Sequence, residues 1–168
     1  MEFREWASVA RPRLRRTAYL LTGDWHQAED LAQEALVRVY AVWRRVAASG
    51  APDAYAAKTV VNAYRAARRR PWRRESPVDP VPSQHLRARD DAAHDDREML
   101  LAALAALGPS QRAIVVLRYW EDMSVAQVAE VLRIAPGTVK SQAARGLEHL
   151  RRVVAELDRD STRTGEST

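Results

Sequence analysis

Along this chain apolar side chains recur every three or four residues, and nowhere do they alternate with polar ones for long enough to make a strand. A first helix is predicted from Phe3 to Leu21, ending at Thr22-Gly23. Asp24-x-x-Gln27 then reads as a capping box. Behind it Ala28, Leu31, Ala32, Ala35, Val39, Val42, Trp43 and Val46 form one stripe, which predicts a single helix of about six turns. A third helix starts after Gly50-Ala51-Pro52 and runs to Arg70, where Pro71 stops it.

Beyond a proline-containing stretch the helical period returns. Gly108-Pro109 separates two helices, and Glu121-Asp122-Met123 closes the second of them. Ser124-x-x-Gln127 is another capping box, followed by Val125, Val128, Ala129 and Leu132 on one face. Arg133-Ile134-Ala135 is a short turn, and Pro136 suits the first turn of a last helix. Val139, Ala143, Gly146, Leu147 and Leu150 fall within about 100° of arc on that helix, against Lys140, Ser141, Arg145, Arg151 and Arg152 on the other side. Short helices, a tight turn and a basic outer face describe a DNA-reading helix-turn-helix. An ordinary helical hairpin with a solvated basic face fits the same pattern. Arg133 stands where such turns usually carry glycine, so it must adopt a left-handed conformation or the turn must differ.

The expected fold class is therefore all-α: two small helical domains joined by a flexible acidic linker. Charge sharpens the division. Residues 1–75 carry a net +7, residues 76–98 a net −3 and residues 99–157 a net +2. Pro77, Pro80 and Pro82 precede the acidic run that ends at Asp96. The expected boundaries are 1–75 for a helical bundle, 76–97 for the linker, 98–157 for the helix-turn-helix domain and 158–168 for a disordered polar tail.

Composition removes several classes of function. With no cysteine among 168 residues there is no disulfide scaffold, thiolate metal site or cysteine nucleophile. The longest apolar run, Met99 to Leu107, is far too short to span a membrane, and Glu2, Arg4 and Glu5 do not open a signal peptide. A cytoplasmic location without membrane insertion is expected. His26, His85, His94 and His149 are scattered, and the acidic group Asp90, Asp91, His94, Asp95 and Asp96 reads as linker rather than as a cation site. No catalytic set is present, so neither enzymatic activity nor a cofactor or metal is expected. Arginine supplies 25 of the 27 basic side chains, which suits phosphate and guanine contacts. With 30 alanines alongside, most of that bias matches the codon usage of a GC-rich genome.

From Arg65 to Arg74 the chain reads RAARRRPWRR, with Tyr55, Asn62, Tyr64 and Trp72 nearby. Six like charges in ten residues are costly unless solvated or bound to a polyanion. Aromatic faces among them suit bases that have left the duplex, although each tyrosine taken alone reads as a core residue. Asp30, Gln33 and Glu34 project beside the apolar stripe of their helix and, alone, specify only a solvated face.

Together these segments resemble a family. AEDLAQEALVRVYAVW (28–43) is similar to the core-polymerase-binding helix of bacterial sigma factors. The stretch from Leu107 to Arg151 resembles their C-terminal promoter-reading domain. The order and short linker are those of the extracytoplasmic-function (ECF) group, with the closest likeness to a sigma-E-like subgroup of actinobacteria. The resemblance implies that residues 1–75 are sigma domain two and 98–157 sigma domain four. It implies core RNA polymerase and promoter DNA as partners, with an anti-sigma factor as a further candidate. Asp30, Gln33 and Glu34 match positions that contact the polymerase clamp helices. Tyr55, Lys58, Asn62, Arg65, Arg68, Arg69 and Trp72 match the helix that captures and opens the −10 element. Thr138, Lys140, Ser141 and Arg145 match the face that enters the −35 major groove, and domain four is implied to dock on the polymerase flap. The acidic linker resembles the segment threaded through the polymerase cleft. Arg133, Gln142, Ala66 and Ala144 depart from the family pattern. The rival reading is a conventional dimeric helix-turn-helix regulator of duplex DNA, with the amphipathic helix at 24–46 as its dimer face.

Overall fold

The computed structural model describes residues 1–69 and 91–165, all of whose regular elements are helical. Four helices build the first half: α1 (Phe3–Thr22), α2 (Trp25–Ala41), the short α3 (Trp43–Ala48) and α4 (Pro52–Arg69). Reciprocal hydrogen bonds between Glu2 and Glu5 start α1, and Gly23, with φ of 70°, ends it by donating its N–H to the Tyr19 carbonyl. Asp24 accepts from the His26 and Gln27 amides and so starts α2. Many of the alanines have a structural use. Ala18, Ala28, Ala32, Ala35 and Ala56 are fully buried, and their small side chains let α1, α2 and α4 approach closely around Leu14, Leu31, Val39, Val60 and Val61. An aromatic cluster of Phe3, Trp6, Tyr40 and Trp43 closes one end, and the Trp6 indole donates to Asp53 at 3.0 Å, tying α1 to the start of α4.

The helix expected over 24–46 is two helices. Val42 has φ −122° and ψ 18°, and its N–H bonds back to Val39 rather than one residue further. The chain bends there, and Trp43 joins the aromatic cluster. Periodicity alone missed the break because Val42, Trp43 and Val46 continue the stripe in phase.

The second half comprises α5 (Asp91–Ala105), α6 (Pro109–Val115) widening into a π turn (Val116–Trp120), α7 (Val125–Leu132) and α8 (Pro136–Gly165). Two boundaries differ from the sequence reading. Helix α5 begins at Asp91, inside the stretch read as linker, because the helix-breaking prolines end at Pro82. Helix α8 continues to Gly165, into the stretch read as a disordered tail, with no proline or glycine between Leu147 and Thr164 to stop it. Ser124 and Gln127 form the reciprocal cap that starts α7.

Gly146 lies where α8 crosses α6. A Cβ there would stand 2.6 Å from Cγ2 of Val115, which is buried and β-branched. Gly146→Ala gains about 1 kcal/mol of helix propensity, whereas overpacking costs about 1–3 kcal/mol. The expected net result is a loss of about 1 kcal/mol, read as a lower denaturation midpoint; a higher midpoint would show that the crossing has slack.

The two halves pack on one another. Ile114, Val116, Leu117, Met123 and Val128 join the same apolar core as Leu14, Leu21, Val60 and Tyr64. Around its rim the Glu121 carboxylate pairs with Arg13 and accepts from the Thr17 hydroxyl, and Arg112 Nε donates to the Leu20 carbonyl at 2.6 Å. Arg97 lies 5.0 Å from the Tyr19 ring and 5.3 Å from that of Trp25, which stack on each other.

Candidate functional site

The turn between α7 and α8 is the left-handed one. Arg133 takes φ 55° and ψ 50°, its side chain exposed, while its N–H caps α7 on the Ala129 carbonyl. A non-glycine residue in this region is strained. Arg133→Gly is therefore expected to raise stability by about 0.5–1 kcal/mol, measurable as an increase in Tm; a decrease would mean that the arginine makes a stabilising contact offsetting the strain.

On α8, Thr138, Lys140, Ser141 and Arg145 are all exposed. Helical spacing places Thr138, Ser141 and Arg145 within about 60° of one another, with Lys140 about 100° round from Ser141, on the flank. The Ser141 hydroxyl donates to the Thr138 carbonyl, keeping the strip compact. Val139, Ala143, Gly146 and Leu150 bury the opposite side. Gln142, a departure from the family pattern, is partly buried and accepts a hydrogen bond from the Gln111 amide at 3.0 Å, so it braces α8 against α6.

On α4, Tyr55, Lys58, Asn62, Arg65 and Arg69 share a face about 80° wide. The first four are partly buried and Arg69 is exposed. Arg65 donates to the Leu132 carbonyl at 3.3 Å, and burial, with the nearby Arg69 charge, lowers its pKa. Arg68 stands about 60° off this face, its guanidinium 5.8 Å from the Tyr64 ring. Tyr64 is a core residue, and Tyr55 packs partly buried against that core. Arg70 and Trp72 lie outside the described residues.

On α2, Asp30, Gln33 and Glu34 are exposed side by side. Glu34 pairs with Arg38 one turn on, and the Gln33 amide reaches Glu29. Glu29, bonded to Arg11 and near Arg15, has its pKa lowered chiefly by the Arg11 hydrogen bond. Val37 and Tyr40 share the outward face of Asp30, Gln33 and Glu34, and are 68% and 66% exposed. The sequence reading missed both. The signal was there, since each is a hydrophobic residue out of phase with the buried stripe. That stripe itself, Ala28, Leu31, Ala32, Ala35 and Val39, is buried within the first bundle and is not available as a dimer face.

Among the described residues no group of three His, Asp or Glu side chains is arranged to hold a metal ion, and no helix is long and apolar enough to cross a membrane. The acidic run Asp90 to Asp96 lies outside the described side chains except at Asp96.

An all-α chain with a capped helix-turn-helix in its second half, and separate polar faces on α2, α4 and α8, belongs to the class of helical transcription proteins. The comparisons narrow the class. Residues 8–74 match the model of sigma-70 region 2, and residues 97–150 that of sigma-70 region 4. The RNA polymerase sigma-E factor of Streptomyces avermitilis is 37% identical over 165 residues, covering 96% of this chain and 89% of that protein. The ECF RNA polymerase sigma factor SigL of Mycobacterium tuberculosis is 34% identical over 147 residues, covering 84% and 82%. The chain belongs to the ECF group of RNA polymerase sigma factors. In fold it is similar to the sigma factor RpoE of Bartonella quintana, solved in complex with the anti-sigma factor NepR: the TM-score is 0.71 at 22% identity, covering 91% of this chain and 96% of that one.

Proposed function

We propose that this sigma factor divides initiation among three helical faces. Asp30, Gln33 and Glu34 hold the polymerase clamp, with exposed Val37 and Tyr40 as the apolar part of the same face. The α4 face of Tyr55, Lys58, Asn62, Arg65 and Arg69, with Arg68 and Trp72 beside it, captures and opens the −10 element. Thr138, Ser141 and Arg145, flanked by Lys140, read the −35 major groove. The acidic segment from residue 76 occupies a nucleic-acid path in the polymerase cleft, and domain four docks on the flap. An anti-sigma factor is proposed as a further partner, as NepR is for the Bartonella protein.

The observation that supports this reading best is that the polar sets on α2 and α8 are solvent-facing while the apolar side of each helix is buried. A lone recognition helix buries little surface, so the protein by itself binds DNA weakly. Tethering both modules to one polymerase raises their effective concentration over paired elements. No nucleotidyl chemistry is asked of the chain.

The test is binding and transcription with purified core polymerase from a high-GC bacterium, with and without the protein. Nanomolar association and initiation at discrete start sites are expected. Absence of association, together with dimeric binding to palindromic DNA, would establish the conventional regulator instead.

A further inference from the structure

We propose that Arg133 is a phosphate contact of the DNA-reading half. From the turn between α7 and α8 its guanidinium grips a backbone phosphate at the lip of the groove that α8 enters. This rests on the reading of α8 as a DNA-reading helix, and it adds to the groove-facing set a residue that lies outside that helix.

Within the chain Arg133 carries costs that no internal contact offsets. Its backbone is left-handed, with φ 55° and ψ 50°, where glycine would sit without strain. Of the two non-glycine residues described with positive φ, Asp122 has the short polar side chain that tolerates this conformation, and Arg133 does not. The backbone is held there because the Arg133 and Ile134 amides both donate to the Ala129 carbonyl, and the Ala135 carbonyl accepts from Thr138 and Val139. Among the described residues the exposed Arg133 side chain makes no hydrogen bond, ion pair or ring contact, and Glu130 on α7 does not pair with it. The Arg65 guanidinium donates to the Leu132 carbonyl at 3.3 Å, on the peptide that precedes Arg133, so the charge set beside the turn has the same sign. An external anion would pair the guanidinium and remove that repulsion, setting a gain against the strain.

Placement selects the anion. Arg133 precedes Thr138, the first residue of the α8 strip, by five residues, and Ala135, Pro136 and Gly137 between them are exposed. In a helix-turn-helix the first helix crosses the DNA backbone, and the second enters the major groove with its N-terminal residues against the bases. The turn that joins them therefore stands over the edge of the groove, where phosphates rather than base edges are within reach. Arginine's planar fork matches a pair of phosphate oxygens. The strip itself is poor in charge: Thr138 and Ser141 are neutral, which leaves Arg145, with Lys140 on the flank. Arg133 supplies a third cation. Such a contact fixes register and adds affinity but carries no sequence information.

Stability and binding should move in opposite directions, which separates a contact from a structural role. Arg133→Gly and Arg133→Asn both relieve the backbone, and both are expected to raise Tm. Holoenzyme assembled from core polymerase and each full-length variant is titrated over a range of salt with a promoter fragment taken from the start sites of the transcription assay. Both neutral variants are expected to bind about 5- to 10-fold more weakly at physiological salt, and to lose about one unit of slope in log K against log salt. The loss should be the same whatever the sequence of the −35 element. Arg133→Lys keeps both charge and strain, and is expected to retain the slope and the unmodified Tm. Single phosphates around the −35 element are then replaced in turn by neutral methylphosphonates. At one position the change should weaken the unmodified protein and leave Arg133→Gly unaffected.

Unchanged affinity and slope in the neutral variants would overturn the contact. Weaker binding with an unchanged slope would overturn it too, since that is damage to the turn rather than a lost phosphate. Weaker association of the variants with core polymerase itself would set the guanidinium against the enzyme and overturn the assignment to DNA. If the unmodified protein fails to bind core polymerase at all, the sigma-factor reading falls instead. The same salt titration on the palindromic duplex bound by the rival regulator then decides the Arg133 contact.

Discussion

Reversing charge at Asp30 and Glu34 together (Asp30→Lys, Glu34→Lys) is expected to weaken core-polymerase binding by about 100-fold while leaving the protein folded. Both side chains are exposed on α2, whose buried side is untouched by the change. The Glu34–Arg38 ion pair is lost, but such a pair on a helix surface is worth only about 0.3–0.5 kcal/mol. At an interface the same charges face a partner of complementary sign. Losing two close pairs, each coupled by about 1.5 kcal/mol or more, gives the expected two orders of magnitude. The loss should shrink as salt is raised, because rim charges are screened. Titration of labelled protein into core polymerase at two ionic strengths provides the check. Unchanged affinity would mean that the clamp is held elsewhere.

What could be read beforehand was whatever depends on neighbours in sequence. The capping box at Ser124, the stop at Gly23 and the left-handed requirement at Arg133 are all local, and the structure contains each of them; Asp24 caps α2 as expected, but the reciprocal half of its box is not made, because its N–H bonds the Thr22 hydroxyl. The buried stripes of α2 and α8 follow from the helical period in the same way. The packing of one half on the other could not be read so. It is made by pairs such as Thr17 with Glu121 and Leu20 with Arg112, separated by 104 and 92 residues, with a carbonyl oxygen as one partner in the second. No period or motif encodes which carbonyl an arginine will find. The bend at Val42 escaped for a related reason, since the aromatic cluster that draws Trp43 in is assembled partly from Phe3 and Trp6 of another helix. Val37 and Tyr40 were legible in principle, as hydrophobic residues out of phase with the buried stripe.

The arginine run at the end of α4 carries the other large effect. Replacing Arg68, Arg69 and Arg70 with alanine is expected to reduce open-complex formation by about 100-fold and to leave polymerase association nearly unchanged. Arg68 and Arg69 are exposed, and the contact with the core that the change removes is that of the Arg68 guanidinium, 5.8 Å from the Tyr64 ring. Unstacking a base costs a few kcal/mol, which must be offset by backbone neutralisation and by stacking on aromatic faces. Each phosphate contact removed lowers the salt dependence of DNA binding by about one unit of slope, so the variant should show both a weaker and a flatter salt response. With the polymerase contacts proposed to lie on α2, their affinity should be insensitive to the change. Permanganate reactivity of unpaired thymines, followed beside polymerase binding, separates the two. If polymerase binding falls together with opening, then α4 belongs to the polymerase interface and the division between capture of the enzyme and capture of the DNA is wrong. If opening alone is lost, and a promoter opened in advance as a mismatched bubble restores initiation, the run acts at strand separation rather than at recognition of the closed duplex.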